Sequence, residues 1–279
     1  LHICADLHVH TTASDGDMKP GELVSKAASI GLETVAITDH DTIKGVPEAL
    51  STGRESGVHV IAGVEISAEY EPGSMHILGY FKTLPDGLEQ ELQAVQMARL
   101  KRFPQIIEKL NALGYAITKD DVTSIAGDAQ IGRPHIAKAM MQKGYVKDYE
   151  TAFSTYLAKG KPAYVPKEKM HVHQALNLIR HHGGLPVLAH PFTLELEPYE
   201  LKIAVEQLKS EGLKGIEVFY PEHTRSQKKL YAALARDLDL FMTGGTDYHG
   251  QGRGRTSIGD FGLDRETLHV MLDTFNQLQ

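Results

Sequence analysis

Cysteine is nearly missing from this sequence: Cys4 is the only one in 279 residues. That excludes an intrachain disulfide and a thiolate zinc cluster. Long apolar runs are missing too. None approaches the roughly 18 residues a membrane-spanning helix needs, and no charged-then-apolar leader precedes the first strand. Positive charge is in deficit, with 29 Lys and Arg against 36 Asp and Glu, a formal net charge of −7. Wholesale non-specific binding to nucleic acid is therefore disfavoured, although a local basic path is compatible with that balance. Internal repeats and low-complexity tracts are also absent. The expectation is a cytoplasmic protein with no membrane attachment and no obligate protein partner.

What is present is ordinary for a soluble globular protein, at 42% hydrophobic and 23% charged. The length suits one large α/β barrel or two smaller domains. Ile3 to Val9 alternates as a strand, Pro20 opens a helix that Gly31 ends, and Glu33–His40 is a second strand. A helix over Gly45–Ser56 and a strand from Val58 to Ile66 follow, and then a hairpin partner over Met75–Phe81. Strand alternating with helix argues for a parallel sheet or barrel. The rhythm breaks from about Leu84 to Gly184, where an amphipathic pattern over Leu88–Leu113 and several shorter helices predominate. Alternation resumes with strands at Leu185–Ala189, Lys214–Tyr220 and Phe241–Asp247, and Arg265–Leu278 closes the chain. The expected organisation is a barrel in two parts, 1–83 and 185–279, with an inserted, mainly helical subdomain over 84–184 capping the active site.

Polar residues recur where these strands end. Asp6, His8 and His10 project to one face of the first strand, because the side-chain period of a strand is two. Asp15 follows on the next loop. His40 ends the second strand, Glu65 the third, His190 another and Asp247 with His249 the last, while His76 begins the hairpin strand. In a parallel barrel the strand C-termini converge on one mouth, and an antiparallel strand begins where its neighbour ends. The nine candidates are His8, His10, Asp15, His40, Glu65, His76, His190, Asp247 and His249. Six imidazoles and three carboxylates exceed the needs of one ion, so two or three ions sharing a bridging carboxylate fit better, with Glu65 as the bridge. Met170-His171-Val-His173 imitates the first motif but lies at a helix start, where i and i+2 diverge. His223, past Glu217-Val-Phe-Tyr-Pro, is either a substrate contact or an ordinary loop histidine.

Asp-Leu-His8-Val-His10-Thr-Thr-Ala-Ser-Asp15-Gly, Ile-Thr-Asp-His40-Asp-Thr, Gly-Val-Glu65-Ile-Ser, His76-Ile-Leu-Gly-Tyr, Ala-His190-Pro and Gly-Thr-Asp247-Tyr-His249-Gly, in that order, resemble the PHP family, named for polymerase and histidinol phosphatase. The resemblance implies a distorted seven-stranded (β/α) TIM-like barrel and phosphoester hydrolysis. It also implies two or three divalent ions, manganese ahead of iron or zinc. Asp15 stands where histidinol phosphatase members carry a histidine, which argues against that substrate. Ile131-Gly-Arg133-Pro-His135-Ile-Ala in the insertion resembles the subgroup that removes phosphate from nucleoside 3′,5′-bisphosphates and trims short RNA from its 5′ end.

That segment has its own physics. Pro134 in a helix's first turn leaves Arg133 and His135 beside free backbone N–H groups, an anion site, and Arg133 can add a bidentate clamp. The competing reading makes Arg133 a solvated charge. Lys161 is a weaker second contact, and Arg253 and Arg255 could meet a phosphate or stay solvated. The expected mechanism is metal-assisted in-line attack at phosphorus on a nucleotide or short RNA, with Asp15, His40, Glu65 and His190 as the catalytic group. His8, His10, Glu65 and Asp247 would hold one ion, Asp15 and His40 a second, Glu65 and His76 a third, and His190 and His249 would complete the last two. Asp6 is expected to orient an imidazole from behind. A metal hydrolase of C–N bonds and a non-catalytic binding module are the rivals. The first lacks a lysine at a strand end for carbamylation, and the complete ligand set speaks against the second.

Overall fold

The structure, a computed structural model, describes residues 2–127, 129, 131–166, 170–250 and 256–277. Arg253 and Arg255 lie outside the described residues. The first parallel strands are largely buried and alternate apolar residues with the polar ones that reach the mouth: β1 (Ala5–Val9), β2 (Thr34–Ile37) and β3 (His59–Glu69), linked by α1 (Pro20–Ser29) and α2 (Val46–Ser56). β4 (Met75–Phe81) returns antiparallel to β3. A helical stretch follows, with α3 (Leu88–Ala112), α4 (Lys119–Ala126), α5 (Arg133–Gln142) and α6 (Tyr149–Ala152), the last running on into a π-turn over Phe153–Leu157. A two-residue strand, β5 (Met170–His171), then leads into α7 (Val172–His181). The barrel resumes with β6 (Gly184–Leu188), α8 (Pro198–Ser210), β7 (Gly215–Phe219), α9 (Arg225–Asp237), β8 (Phe241–Gly244) and α10 (Arg265–Gln277).

The sheet runs β1-β2-β3-β4-β6-β7-β8, with β5 pairing only to the end of β3. Seven strands on the main path, one of them, β4, reversed, make the distorted barrel. Closure of the ring is made by bonds from His10 N to Tyr248 O (2.9 Å) and from Asp247 N to His8 O (2.8 Å). Gly245 permits that approach: a Cβ there would lie 2.4 Å from His8 N. The lumen is filled by Ala5, Leu7, Ala36, Ile61, Leu78, Tyr80, Leu185 and Val187, and α10 adds Leu268, Met271 and Phe275 to the same cluster. A second layer of Leu, Ile and Val packs the strands against the surrounding helices.

A third apolar cluster, from Phe103 to Val165, shares no residue with the other two. Leu88 and Leu92 of α3, and Ala175, Leu176 and Ile179 of α7, belong instead to the barrel's outer layer. We propose that the inserted lobe folds on its own core over about 103–165, narrower than 84–184. The first turns of α3 and the whole of α7 then act as barrel helices. No described helix is long and apolar enough to cross a membrane.

Candidate metal centre

All nine strand-end candidates meet at the mouth. β3 outruns its neighbour β2, so Glu65 sits inside the strand rather than at its end, yet level with the mouth: its backbone pairs with His40 beyond β2. Glu65 is the hub. Its carboxylate lies 3.5 Å from His8 Nε2, 3.2 Å from His10 Nε2, 2.8 Å from His40 Nδ1, 2.7 Å from His76 Nδ1 and 3.0 Å from His190 Nε2. Asp247 approaches His8 at 3.4 Å and His10 at 3.0 Å, while Asp15 meets His249 at 3.3 Å. Three sets of ligand-type atoms fall within 4.8 Å of one another: His8, His10, Glu65 and Asp247; His10, Asp15, His40 and His249; and His40, Glu65 and His76.

Six buried atoms in this cluster face their neighbours without hydrogen-bond geometry: His8 Nε2, His10 Nδ1 and Nε2, His40 Nδ1, Glu65 Oε2 and Asp247 Oδ1. Leaving a buried polar group unsatisfied costs about 1–3 kcal/mol, so so many in one place demand a common partner. Nitrogen and carboxylate oxygen converging on one point fit a borderline divalent cation. The cluster is therefore able to hold metal ions.

Without a cation the charges distort one another. Burial alone would depress His8, but Glu217, Asp247 and Glu65 outweigh it and hold the imidazole well above its ordinary range. His10 is likewise opposed by burial, yet its contacts with Asp247 and Glu65 raise it to about 10. Burial wins at His40, pushing it down to about 4 despite Glu65 and Asp15. For Glu65, burial is overcome by His40, His76 and His8, which keep its carboxyl well below the usual range. Two ligand positions are strained: His190 (φ 23°) and Asp247 (φ 52°), with Asp41 (φ 53°) alongside, occupy the left-handed region. Such non-glycine outliers gather where a site over-determines the backbone.

The shell behind the ligands is built from carboxylates. Glu217, at 0% exposure within β7, binds His8 Nδ1 at 3.0 Å through one oxygen and accepts from His190 N at 2.8 Å through the other. It thus orients two ligands at once. A charged residue alone in the apolar strand Gly-Ile-Glu-Val-Phe was the available signal. Asp6 does not orient an imidazole. Its carboxylate instead accepts from Thr246 N (2.9 Å), Thr246 Oγ1 (2.6 Å) and Gly259 N (3.0 Å), tying the loop after β8 to β1. Asp39, not singled out from the sequence, accepts from Thr11 N (2.8 Å), Thr11 Oγ1 (2.7 Å) and Ser14 Oγ (2.6 Å), and so fixes the loop that carries Asp15.

A cavity of 640 Å³ opens from the cluster to the lobe. Asp15, His40, His76 and His249 line one end, and Arg102, Arg133, Lys159 and Tyr164 line the lobe side. Arg133 donates to Leu157 O at 3.0 Å and lies 5.4 Å over the Phe153 ring. His135 departs from expectation. Its Nδ1 accepts from Gly132 N at 3.0 Å, so it caps its own helix and occupies part of the anticipated anion site. Lys161 is exposed and does not line the cavity, whereas Lys159 does. His223 is 4% exposed, bonds Val218 O at 2.9 Å and packs on Phe192, Tyr220 and Tyr231, which makes it a packing residue beside the mouth. His171 pairs with Glu69 (2.7 Å), and its ring stands 6.0 Å from that of His173, away from the cluster.

Comparison with known proteins agrees with this geometry. The chain is 35% identical over 246 residues to a 5′-3′ exoribonuclease of Haemophilus influenzae, covering 88% of this chain and 89% of that protein. It is 30% identical to the 3′,5′-nucleoside bisphosphate phosphatase of Chromobacterium violaceum, covering 91% and 90%. A solved structure from Bifidobacterium adolescentis, described as a candidate metal-dependent phosphoesterase, superposes with a TM-score of 0.88 at 31% identity, covering 96% of this chain and 95% of that one. The PHP domain matches residues 6–164. With the ligand cluster at the barrel mouth and relatives of this similarity along nearly the whole chain, the protein belongs to the PHP domain family and is a hydrolase of phosphoester bonds.

Proposed function

We propose that the chain hydrolyses nucleotide phosphomonoesters, chiefly by releasing the 3′-phosphate of a nucleoside 3′,5′-bisphosphate, and that it also trims short RNA in the 5′-to-3′ direction. The observation that carries this reading is the cavity that the ligand cluster shares with two guanidinium groups, Arg102 and Arg133, on the lobe side, where Lys159 is already paired with Glu71. Its 640 Å³ falls in the range of small-molecule sites. A simple phosphomonoester needs only the cluster, whereas a nucleotide with two phosphates uses both ends. The names of the two relatives support the same substrate class.

His8, His10, Glu65 and Asp247 would hold one divalent ion, Asp15, His40 and His249 a second, and Glu65, His76 and His190 a third. Manganese is the foremost candidate, and iron or zinc the alternatives. Bound ions would neutralise the phosphoryl oxygens and acidify the attacking water. Among this chain's own groups, Asp15, His40, Glu65 and His190 surround the reacting phosphate, and Glu217 keeps His8 and His190 in register. Arg133, anchored by Leu157 O and backed by Phe153, presents a preorganised guanidinium to the distal phosphate.

The test is phosphate release from adenosine 3′,5′-bisphosphate, AMP, histidinol phosphate and short 5′-phosphorylated RNA with added Mn²⁺. Adenosine 3′,5′-bisphosphate and the RNA should be used best. Arg133→Ala should lower kcat/KM on the bisphosphate about ten- to a hundredfold, the loss of one charge-assisted contact worth roughly 1.5–3 kcal/mol. A generic phosphomonoester should lose much less. Equal losses on both would move Arg133 to the scissile group, and no loss on either would remove it from substrate binding.

A further inference from the structure

The cluster has a second opening. A groove of 1250 Å³ runs from Asp247 and His249 in the other direction, between the lobe and residues 220–222, 246–249 and 256–261. His249 and Phe153 line both spaces, so the two meet at the cluster. A phosphomonoester bound at the cluster, with its nucleoside in the first cavity, has no use for this room. A phosphodiester does. In a bisphosphate and in an RNA 5′ end the same bond breaks: water oxygen joins phosphorus, the P–O3′ bond of the first nucleotide opens, and that 3′ oxygen takes up a proton. The two substrates differ in what stays on phosphorus. In RNA the retained phosphate still carries the O5′ of the next nucleoside, which must project away from the first.

The groove's chemistry matches that group. Phe261 and Phe153, both half-buried, are aromatic walls of the groove suited to stacking a base, and stacking tolerates any base because each has a π face, while Tyr220, buried among His190, Phe192 and His223, closes the groove's inner end. Lys228 covers one face of Phe261, with its Nζ 4.8 Å from the ring centre, and the ring still lines the groove. The charged side chains among the described lining residues apart from the cluster are carboxylates, Glu222 and Asp260 among them. Carboxylates accept hydrogen bonds from ribose hydroxyls and repel additional phosphates. From the two spaces meeting at one cluster, we infer that the groove is a subsite for the nucleoside on the 3′ side of the scissile phosphodiester, and that it accepts one ribonucleoside by stacking. This rests on the nucleotide phosphoesterase reading above.

The experiment uses Mn²⁺-loaded protein and three substrates with the same leaving group: adenosine 3′,5′-bisphosphate, its 3′-methyl ester and the 5′-phosphorylated dinucleotide pApA. In the unaltered protein, kcat/KM for pApA should exceed that for the methyl ester at least tenfold, because both are diesters and only pApA can fill the groove. Phe261→Ala should lower the ratio of pApA to bisphosphate about tenfold, and Phe261→Tyr should preserve it. Equal rates on the two diesters, or a Phe261→Ala loss of the same size on pApA and the bisphosphate, would overturn the subsite. Hydrolysis of the bisphosphate with pApA left intact would also overturn it, and the RNA-trimming half of the substrate reading with it, while leaving the bisphosphate half standing. Hydrolysis of none of the three would sink both.

Discussion

At the scale of single residues, two carboxylates do different work. Glu65 touches five imidazoles, so Glu65→Gln should abolish metal-dependent activity, while His59→Gln at the exposed start of β3 should leave it near the starting level. Comparable activity in the two variants would mean that the centre lies elsewhere. Glu217 acts one layer back. Removing the charge that steadies His8 Nδ1 and His190 N typically costs 10–100-fold in metal affinity. Glu217→Gln should show that loss in a direct Mn²⁺ titration, with the thermal midpoint of the loaded protein falling as well. Unchanged affinity would reduce Glu217 to a packing role. Glu65 was legible because it ends an apolar run beside other ligands. Glu217 was harder to weigh, because its role depends on β6 and β1 lying on either side of the site.

At the scale of elements, the lobe invites a test of independence. Leu110 is fully buried in α3 and belongs to the lobe's own cluster. Leu110→Ala should cost roughly 2–5 kcal/mol locally, through lost transfer energy plus the cavity left behind. Hydrogen exchange should then rise over about 103–165 while the barrel strands and the number of bound ions stay as before. Exchange rising equally in β1 and β2 would show that lobe and barrel unfold as one unit. The helices of this region were readable from periodicity and caps; Thr118 accepting from Asp121 N at 3.1 Å is one such cap. Their allegiance was not. α7 has the same amphipathic pattern whether it packs on the lobe or on the barrel, and only contact decides between the two.

At the scale of the whole molecule, the centre couples charge to metal. The carboxylates of Glu217, Asp247 and Glu65 favour the protonated forms of His8 and His10 in the metal-free protein, whereas an ion requires their lone pairs. Binding should therefore release protons and strengthen as pH rises. Titration calorimetry in buffers of different ionisation enthalpy should register that release, and heat signals independent of buffer would refute it. Elemental analysis of active protein should find more than one ion per chain, and chelation should abolish turnover and lower the melting temperature. A stoichiometry that never passes one ion in active protein would eliminate the multinuclear centre.

Much of this molecule is local information. A strand's period of two and apolar runs closed by His, Asp or Glu suffice to mark out the barrel and to nominate the nine ligand candidates, because each of these signals lies within a few consecutive residues. What the tertiary structure decided is non-local. Glu217 reached His8 across 209 positions of sequence, and Asp6 turned from an imidazole to Thr246, 240 residues away, because closing the ring brings β1 against the end of β8. His135 spent its ring on its own helix cap, Lys159 displaced Lys161 at the cavity wall, and two cavities met at one cluster. Which face of a loop reaches a cavity depends on how the lobe packs over the mouth, and no run of neighbouring residues encodes that packing.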